Sequence, residues 1–438
     1  MQVDRFRTHS LDDPRIGRIL SAALHAVRPD LLVSKYLEEH SLPPHRRLFI
    51  LGIGKAAESM VRAAEKRSAY SAALAVTKHA ADRPRQAAEP ASPGRVEGGA
   101  QPPLKILEAG HPLPDARSVA AGEAVARFVS EIRQDDLLLC LISGGGSALV
   151  AAPPSGVSLQ DLRQVSDALL RSGASIEEVN IVRRRLDRLK GGGLVAATKS
   201  PIISLLLSDV MGDRLDTIAS GLTMIETTAP DQALAILQKY GISTSNSVLE
   251  ALRRPPHILP AEASQRVMNR VVGNNLTART AAHQQAKLEG FHAVMSRAWL
   301  QGEASAAGKQ LASRLAGAVD EMPRPFCIVE GGETTVSVRG GGQGGRNQEM
   351  ALAAVDRLDG LEDVFLITMA TDGDDGPTDA AGAVVTGETC RRGSRGGMNA
   401  ETFLARNDSY HYFDALGDLL RIGYTGTNVN DLTLLMGV

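Results

Sequence analysis

The chain has 438 residues, enough for two domains, with 43% hydrophobic residues, few aromatics and 43 glycines, a mixture suited to an α/β protein rich in turns. Its formal net charge is -2 with acids and bases interspersed, which argues against nucleic acid or an anionic membrane surface as a partner. No apolar run approaches the roughly 18 residues that span a bilayer, the N-terminus has no signal-peptide core, and three separated cysteines (Cys140, Cys327, Cys390) show no metal spacing, so a cytoplasmic protein with free thiols is expected.

Ile16, Ile19, Leu20, Ala23 and Val27 follow helical spacing and predict an opening amphipathic helix. Leu48–Leu51 is a short apolar strand entering the turn GIGKAA and a helix; a second strand over Ala72–Thr77 ends at Lys78. Residues 80–103 lack apolar periodicity and read as a long surface loop. A helix is predicted from about Ala116, then a buried strand over 137–142 runs into SGGGSALV. Helices follow over 165–170 and 176–190, and a buried strand from Ile202 ends in SDVMGD. Continuous apolar strands alternating with helices indicate a parallel sheet covered on both faces. The second half repeats that grammar: Val271-Val272 before GNNLTARTAA, an element over 292–300, a helix after GEASAAGK, and Phe326–Val329 before EGGETTV. Then come a glycine run with its helix, and Val364–Ala370 before TDGDDGPTDAAG. The domain change is expected near residue 255, at RRPPHILP, giving domains over 1–255 and 256–438.

Several turns carry chemistry. G-x-G-x-x-A over Gly52, Gly54 and Ala57 fits a dinucleotide fingerprint, yet the next strand ends in Thr77-Lys78-His79 where that fingerprint wants an acid. Lys78 leaves NADP open, while Lys55 inside the turn suits a phosphoryl or carboxylate group. Ser143, Gly144, Gly145, Gly146 and Ser147 follow a buried strand, at the carboxyl edge where parallel sheets bind ligands, and two hydroxyls there can donate to phosphate. Two acidic clusters, with Asp209 and Asp213 in one and Asp372 in the other, also follow buried strands. They suit a magnesium–nucleotide site or simple turn capping. His111 sits in a turn that suits a structural hydrogen bond. Arg183-Arg184-Arg185 reads as a solvated helix face. RGGGQGGRNQEM reads as a tight turn that presents Arg346, with Asn347 and Glu349 beside it.

Taken in order, GIGKAA, GHPLPD, SGGGSAL, VRRRLDRLKGGGL, SDVMGD, IASG, GGETTV, GGRNQE, TDGDDGPTDAAGA and TGTNVNDL resemble the glycerate 2-kinases of the MOFRL type, over residue 15 to the C-terminus. The resemblance implies two three-layer α/β domains: an N-terminal Rossmann-like parallel sheet and a C-terminal MOFRL-type α/β domain, with the active site in the cleft between them. It implies transfer of the ATP γ-phosphoryl group to D-glycerate with Mg2+, and it carries essential roles onto Lys55 and Arg346. Glu333, in GGETTV, and Asn275, in GNNLTARTAA, are further binding candidates. The sequence departs from the pattern at Asp187, where serine is usual, at Met211, Leu222 and Tyr424, where proline is usual, and at Gln343 within the glycine run.

On this reading MgATP lies along SGGGSAL with the metal near Asp209, Asp213 or Asp372, and the guanidinium of Arg346 takes the glycerate carboxylate while Lys55 neutralises the phosphoryl group, or the two cations exchange these roles. The alternatives are an NAD(P)H-dependent hydroxypyruvate reductase and a non-catalytic nucleotide-binding protein. A homodimer is the default assembly.

Overall fold

The computed structural model describes residues 2–78, 103–224, 230–254 and 262–438. The expected loop over 80–103 therefore lies, up to residue 102, outside the described residues, as does most of the RRPPHILP stretch. Among the described residues the chain forms two compact units, one of residues 29–272 and one of residues 2–28 with 273–438.

The first unit is built on strands β1 (Leu48–Ile53), β2 (Ala72–Lys78), β3 (Lys105–Ala109), β4 (Leu137–Ile142), β5 (Ile202–Leu207) and β6 (Val267–Gly273), in the order β3-β2-β1-β4-β5-β6. The pairs from β3 through to β5 are parallel. β1, β4 and β5 are buried at every position, as strands covered on both faces must be. Beside this sheet, four helices (Leu159–Arg171, Ile176–Arg185, Pro230–Lys239, Asn246–Arg253) enclose their own apolar cluster around Val165, Leu169, Val182, Leu237 and Leu252. The predicted helix over 176–190 stops at Arg185, and Asp187 begins a capped turn instead.

The second unit contains β7 (His292–Met295), β8 (Leu300–Glu303), β9 (Phe326–Thr335), β10 (Val364–Ala370), β11 (Gly382–Thr386) and β12 (Asp431–Gly437). Their order is β11-β10-β12-β9-β7, with β8 also beside β9. This sheet is mixed: β7 and β8 run parallel to β9, but the parallel order does not extend across the rest. β10 is antiparallel to both β11 and β12, and β12 is antiparallel to β9. The eleven residues Thr371–Ala381 between β10 and β11 hold no helix, and a parallel return needs a crossover of about a dozen residues or more.

The opening helix (Pro14–Ala26) belongs to this second unit. Its buried stripe of Ile16, Ile19, Leu20, Ala23 and Leu24 packs on the helix Asn275–Leu288. Arg18 forks onto Glu289 with two 2.7 Å bonds, and Thr427 donates to the Val27 carbonyl at 2.7 Å. The two compact units divide at 272/273, within tens of residues of the change expected near 255, and the first 28 residues go with the second unit. Cys140 and Cys327 are buried free thiols whose burial pushes them up, Cys327 to about 12. No described helix is long and apolar enough to cross a membrane.

Candidate active site

The strand order of the first unit reverses direction between β1 and β4, the point at which open α/β sheets bind ligands beyond their carboxyl ends. The two strands finish in register at Ile53 and Ile142. The turns beyond them interlock: Lys55 N–H donates to the Gly144 carbonyl at 2.9 Å, and Ala56 N–H donates to Ser143 Oγ at 3.0 Å. Gly54, at φ +131°, lies so close that a Cβ there would sit 2.4 Å from the Ser143 carbonyl. GIGKAA and SGGGSAL, read separately in the sequence, are therefore one construction.

Within it, Gly145 has φ +85° and starts the turn carrying Gly146 and Ser147. A Cβ on Gly145 would lie 3.1 Å from the His111 ring and 3.2 Å from Lys55 Cγ, so these side chains flank it. Gly144 presses on Asp209, whose Oδ2 would be 1.8 Å from an added Cβ. Asp213 ends a short turn four residues later at φ +52°. The two hydroxyls expected to face phosphate have protein partners: Ser143 Oγ accepts from Ala56, and Ser147 Oγ is 2.6 Å from Ser220 Oγ, itself 3.3 Å from Asn180 Oδ1. They hold the turn, and the Ser143 hydroxyl does so as an acceptor, which does not use its own O–H.

A cavity of about 190 Å3 opens beside Gly145 and Ser147, walled by Leu162, Val165, Val182 and Leu186. His111, Arg183 and Lys190 line it as well. Burial, with the charges of Lys55 and Lys78, drives the His111 imidazole down to about 4 and keeps it neutral. Lys190 Nζ is 2.8 Å from Asp187 Oδ2 in a pair whose side chains are 6% and 1% exposed. Asp187 also accepts from the N–H groups of Ala152, Leu189 and Lys190.

In the second unit Arg346 opens the helix Arg346–Leu358. Its Nε and Nη2 fork onto Asp431 at 2.7 and 3.0 Å, and its Nη1 reaches Glu333 at 2.7 Å. Burial opposes its charge, but Asp431 and Glu333 outweigh burial and hold the guanidinium above its ordinary value. The fork expected to grip a substrate carboxylate is thus already set on a protein carboxylate, and three of the five guanidinium N–H donors are committed.

Asp375 accepts from the N–H groups of Asn347 and Gln348 at 3.0 and 2.8 Å, capping the same helix, and burial raises it to about 7. Asn347 is buried against Asp375, and Glu349 accepts from Asn407, whose Oδ1 in turn receives the Arg339 and Gly340 N–H groups. Asn275 donates to the carbonyls of Val429 and Asp431, bracing the start of β12. These three therefore support the loop and strand around Arg346. Asp372 lies in the turn after β10, where its carboxylate accepts from Asp374 N–H. The glycine run is a close-approach device: a Cβ on Gly340 would lie 2.2 Å from the Arg406 carbonyl, and one on Gly345 2.3 Å from the Asp375 carboxyl carbon.

Asp431, Asp375, Arg183 and the Asp187–Lys190 pair were not foreseen. An acid at the start of the last apolar strand, in NVNDLTLLM, was the available signal for Asp431. Among the described residues no group of three or more His, Cys, Asp or Glu side chains is arranged to hold a metal.

A domain of unknown function (DUF4147) matches residues 15–253, and the MOFRL family matches residues 326–431. The chain is 38% identical to a D-glycerate 2-kinase of Thermotoga maritima over 424 residues, 95% of this chain and 96% of that one. It is 37% identical to a glycerate 2-kinase of Pyrococcus horikoshii over 399 residues, 89% of this chain and 87% of that one. The crystal structure of a glycerate kinase from Thermotoga maritima superposes with a TM-score of 0.84 at 38% identity, covering 96% of this chain and 98% of that chain. Shared motifs, shared fold and identity over nearly the whole length agree, and the chain belongs to the MOFRL-type glycerate kinase family.

Proposed function

We propose that the protein transfers the γ-phosphoryl group of ATP to the 2-hydroxyl of D-glycerate, releasing ADP and 2-phosphoglycerate. The observation that carries this reading is the interlocked pair of turns at the β1/β4 switch point, with Lys55 beside Gly145, in a chain whose relatives bear glycerate 2-kinase names. In the reaction the 2-hydroxyl oxygen bonds to the γ-phosphorus as the bond to the β–γ bridging oxygen breaks, the electron pair of that bond stays on ADP, and the hydroxyl proton passes to solvent water. Such transfer asks a protein for positioning and charge neutralisation rather than covalent chemistry. The glycines let phosphate approach the backbone, and Lys55 offsets charge on the transferring group. Arg346 is a cation of fixed orientation, its remaining donors suited to the glycerate carboxylate.

Asp209 fits a role toward magnesium: a single carboxylate against the Gly144 turn is what a phosphate-bound Mg2+ needs, since that ion takes one or two protein carboxylates and completes its shell with water and phosphate oxygens. The ion supplies further neutralisation of the phosphates when bound. Asp213 and Asp372 are second candidates. The reductase reading has less support, because β2 ends in Thr77-Lys78 and the Thr77 hydroxyl is spent on the Lys55 carbonyl at 3.3 Å, leaving no acid there for a ribose.

The test supplies D-glycerate with MgATP and, separately, hydroxypyruvate with NADH or NADPH. The expected result is ADP with 2-phosphoglycerate in the first and no cofactor oxidation in the second. A 3-phosphorylated product, or turnover only with the reduced cofactor, overturns the proposal.

A further inference from the structure

Resting on the kinase reading, we infer that Arg183 is the anion-binding residue of a nucleotide subsite, in which the cavity beside Gly145 takes the nucleoside body against its apolar wall and Arg183 takes a phosphate.

Arg183 stands at the end of the helix Ile176–Arg185, next to Val182, which is fully buried in the helical cluster. Its two neighbours are spent elsewhere: Arg184 donates to the Asp216 carbonyl and Arg185 to the Leu252 carbonyl. Arg183 instead lines the cavity, and its one described hydrogen bond runs from Nε to Ser166 Oγ at 3.3 Å. Among the described residues no carboxylate pairs with it, and burial alone lowers its pKa. The other cation on that wall, Lys190, is already neutralised by Asp187. The imidazole of His111 is held neutral. The cavity thus presents a half-buried, uncompensated guanidinium, a state that costs free energy until an anion arrives.

The wall chooses between the two anions of the reaction. D-Glycerate carries hydroxyls on every carbon beyond its carboxylate, and Leu162, Val165, Val182 and Leu186 would leave them unpaired. A nucleoside presents an apolar ring face that such a wall covers. At about 190 Å3 the cavity is smaller than a site that encloses a whole drug-sized ligand (roughly 300–1,000 Å3), so it takes one end of a longer molecule. Gly145 and Ser147, at its rim, join it to the Lys55 turn. The guanidinium offers a planar fork that suits phosphate oxygens.

The test is Arg183→Gln in the full chain, with MgADP binding by calorimetry, steady-state kinetics in both substrates, and the melting temperature without ligand. The expected result is an ADP Kd and an ATP KM raised about tenfold or more, as for loss of a charge-assisted bond. The KM for D-glycerate should change less than about twofold, and the unliganded melting temperature should hold or rise, because an uncompensated buried cation is gone. Unchanged ADP affinity overturns the inference, as does a raised glycerate KM with ATP unaffected. A fall in melting temperature that accompanies the lost affinity also overturns it, by making Arg183 structural. A second measurement needs no variant: MgADP, and not D-glycerate, should shield Arg183 of the wild-type chain from phenylglyoxal, and equal labelling with and without MgADP overturns the inference. Failure of the kinase reading is separate, since it shows as a wild-type chain that turns over no D-glycerate with MgATP.

Discussion

Arg346 grips Asp431 through two parallel N–H···O bonds of 2.7 and 3.0 Å, across 85 residues of chain, and Asp431 is almost wholly buried at the start of β12. The pair ties the first turn of a helix to the central strand of the second sheet, so the catalytic role proposed for Arg346 falls on a residue that also holds the architecture. Arg346→Ala should abolish turnover, by orders of magnitude, and also destabilise the second unit by about 2–3 kcal/mol. That figure lies below the roughly 3–5 kcal/mol of a fully buried pair, because the arginine side chain retains 30% exposure. Arg346→Lys keeps charge but not the fork, and should recover part of the stability and little of the rate. Kinetics and denaturant melts on both variants check this; a lysine variant with near-wild-type turnover removes the fork from the scheme.

The Gly144–Asp209 contact yields a second expectation. A methyl on Gly144 cannot be placed without moving the Asp209 carboxylate, since the two would lie 1.8 Å apart. Gly144→Ala and Asp209→Asn should therefore share a phenotype: a weakened dependence on Mg2+ concentration and turnover reduced about tenfold or more, as for a lost charge-assisted contact. A Gly144→Ala enzyme with normal magnesium response would show that Asp209 has no part in metal binding.

Asp187 is buried with its carboxylate 2.8 Å from the Lys190 ammonium. It accepts three backbone N–H groups besides Lys190 Nζ. Asp187→Ala leaves a buried ammonium and three orphan donors, and should cost about 3–5 kcal/mol. Asp187→Ser keeps a hydroxyl acceptor and should cost less. Urea melts rank the two, and equal stability of the alanine variant and wild type would contradict the assignment.

His111 gives a pH dependence with a definite sign. Its folded pKa, about 4, is below the ordinary 6.5, so between those values the unfolded chain binds the extra proton. Stability contributed by the neutral imidazole is therefore present above pH 6.5 and lost as pH falls toward 4, by at most about 3 kcal/mol. His111→Gln should flatten that part of the stability–pH curve. A curve of unchanged slope in the variant would place the titration elsewhere.

The elements most legible in the sequence were those with a local cause. β1, β4 and β5 were readable because strands buried on both faces are unbroken apolar runs, and Gly54 and Gly145 because positive φ demands glycine. The four-helix cluster was only half seen, as two of its helices follow residues that carry no motif. Arg183 was read with its neighbours as a solvated face. A charged residue beside a buried valine looks the same in sequence whether it meets water or a cavity.

Sequence by itself determined the strand–turn–helix alternation of the first sheet, the family and the glycine turns, because backbone conformation and burial pattern are written within a few residues. Tertiary structure alone decided that the opening helix joins the second unit, that β12 enters antiparallel between β9 and β10, and that the Arg346 fork closes on Asp431. Strand order and ion pairing join residues tens to hundreds of positions apart, and their energies depend on which surfaces meet, which no local pattern specifies.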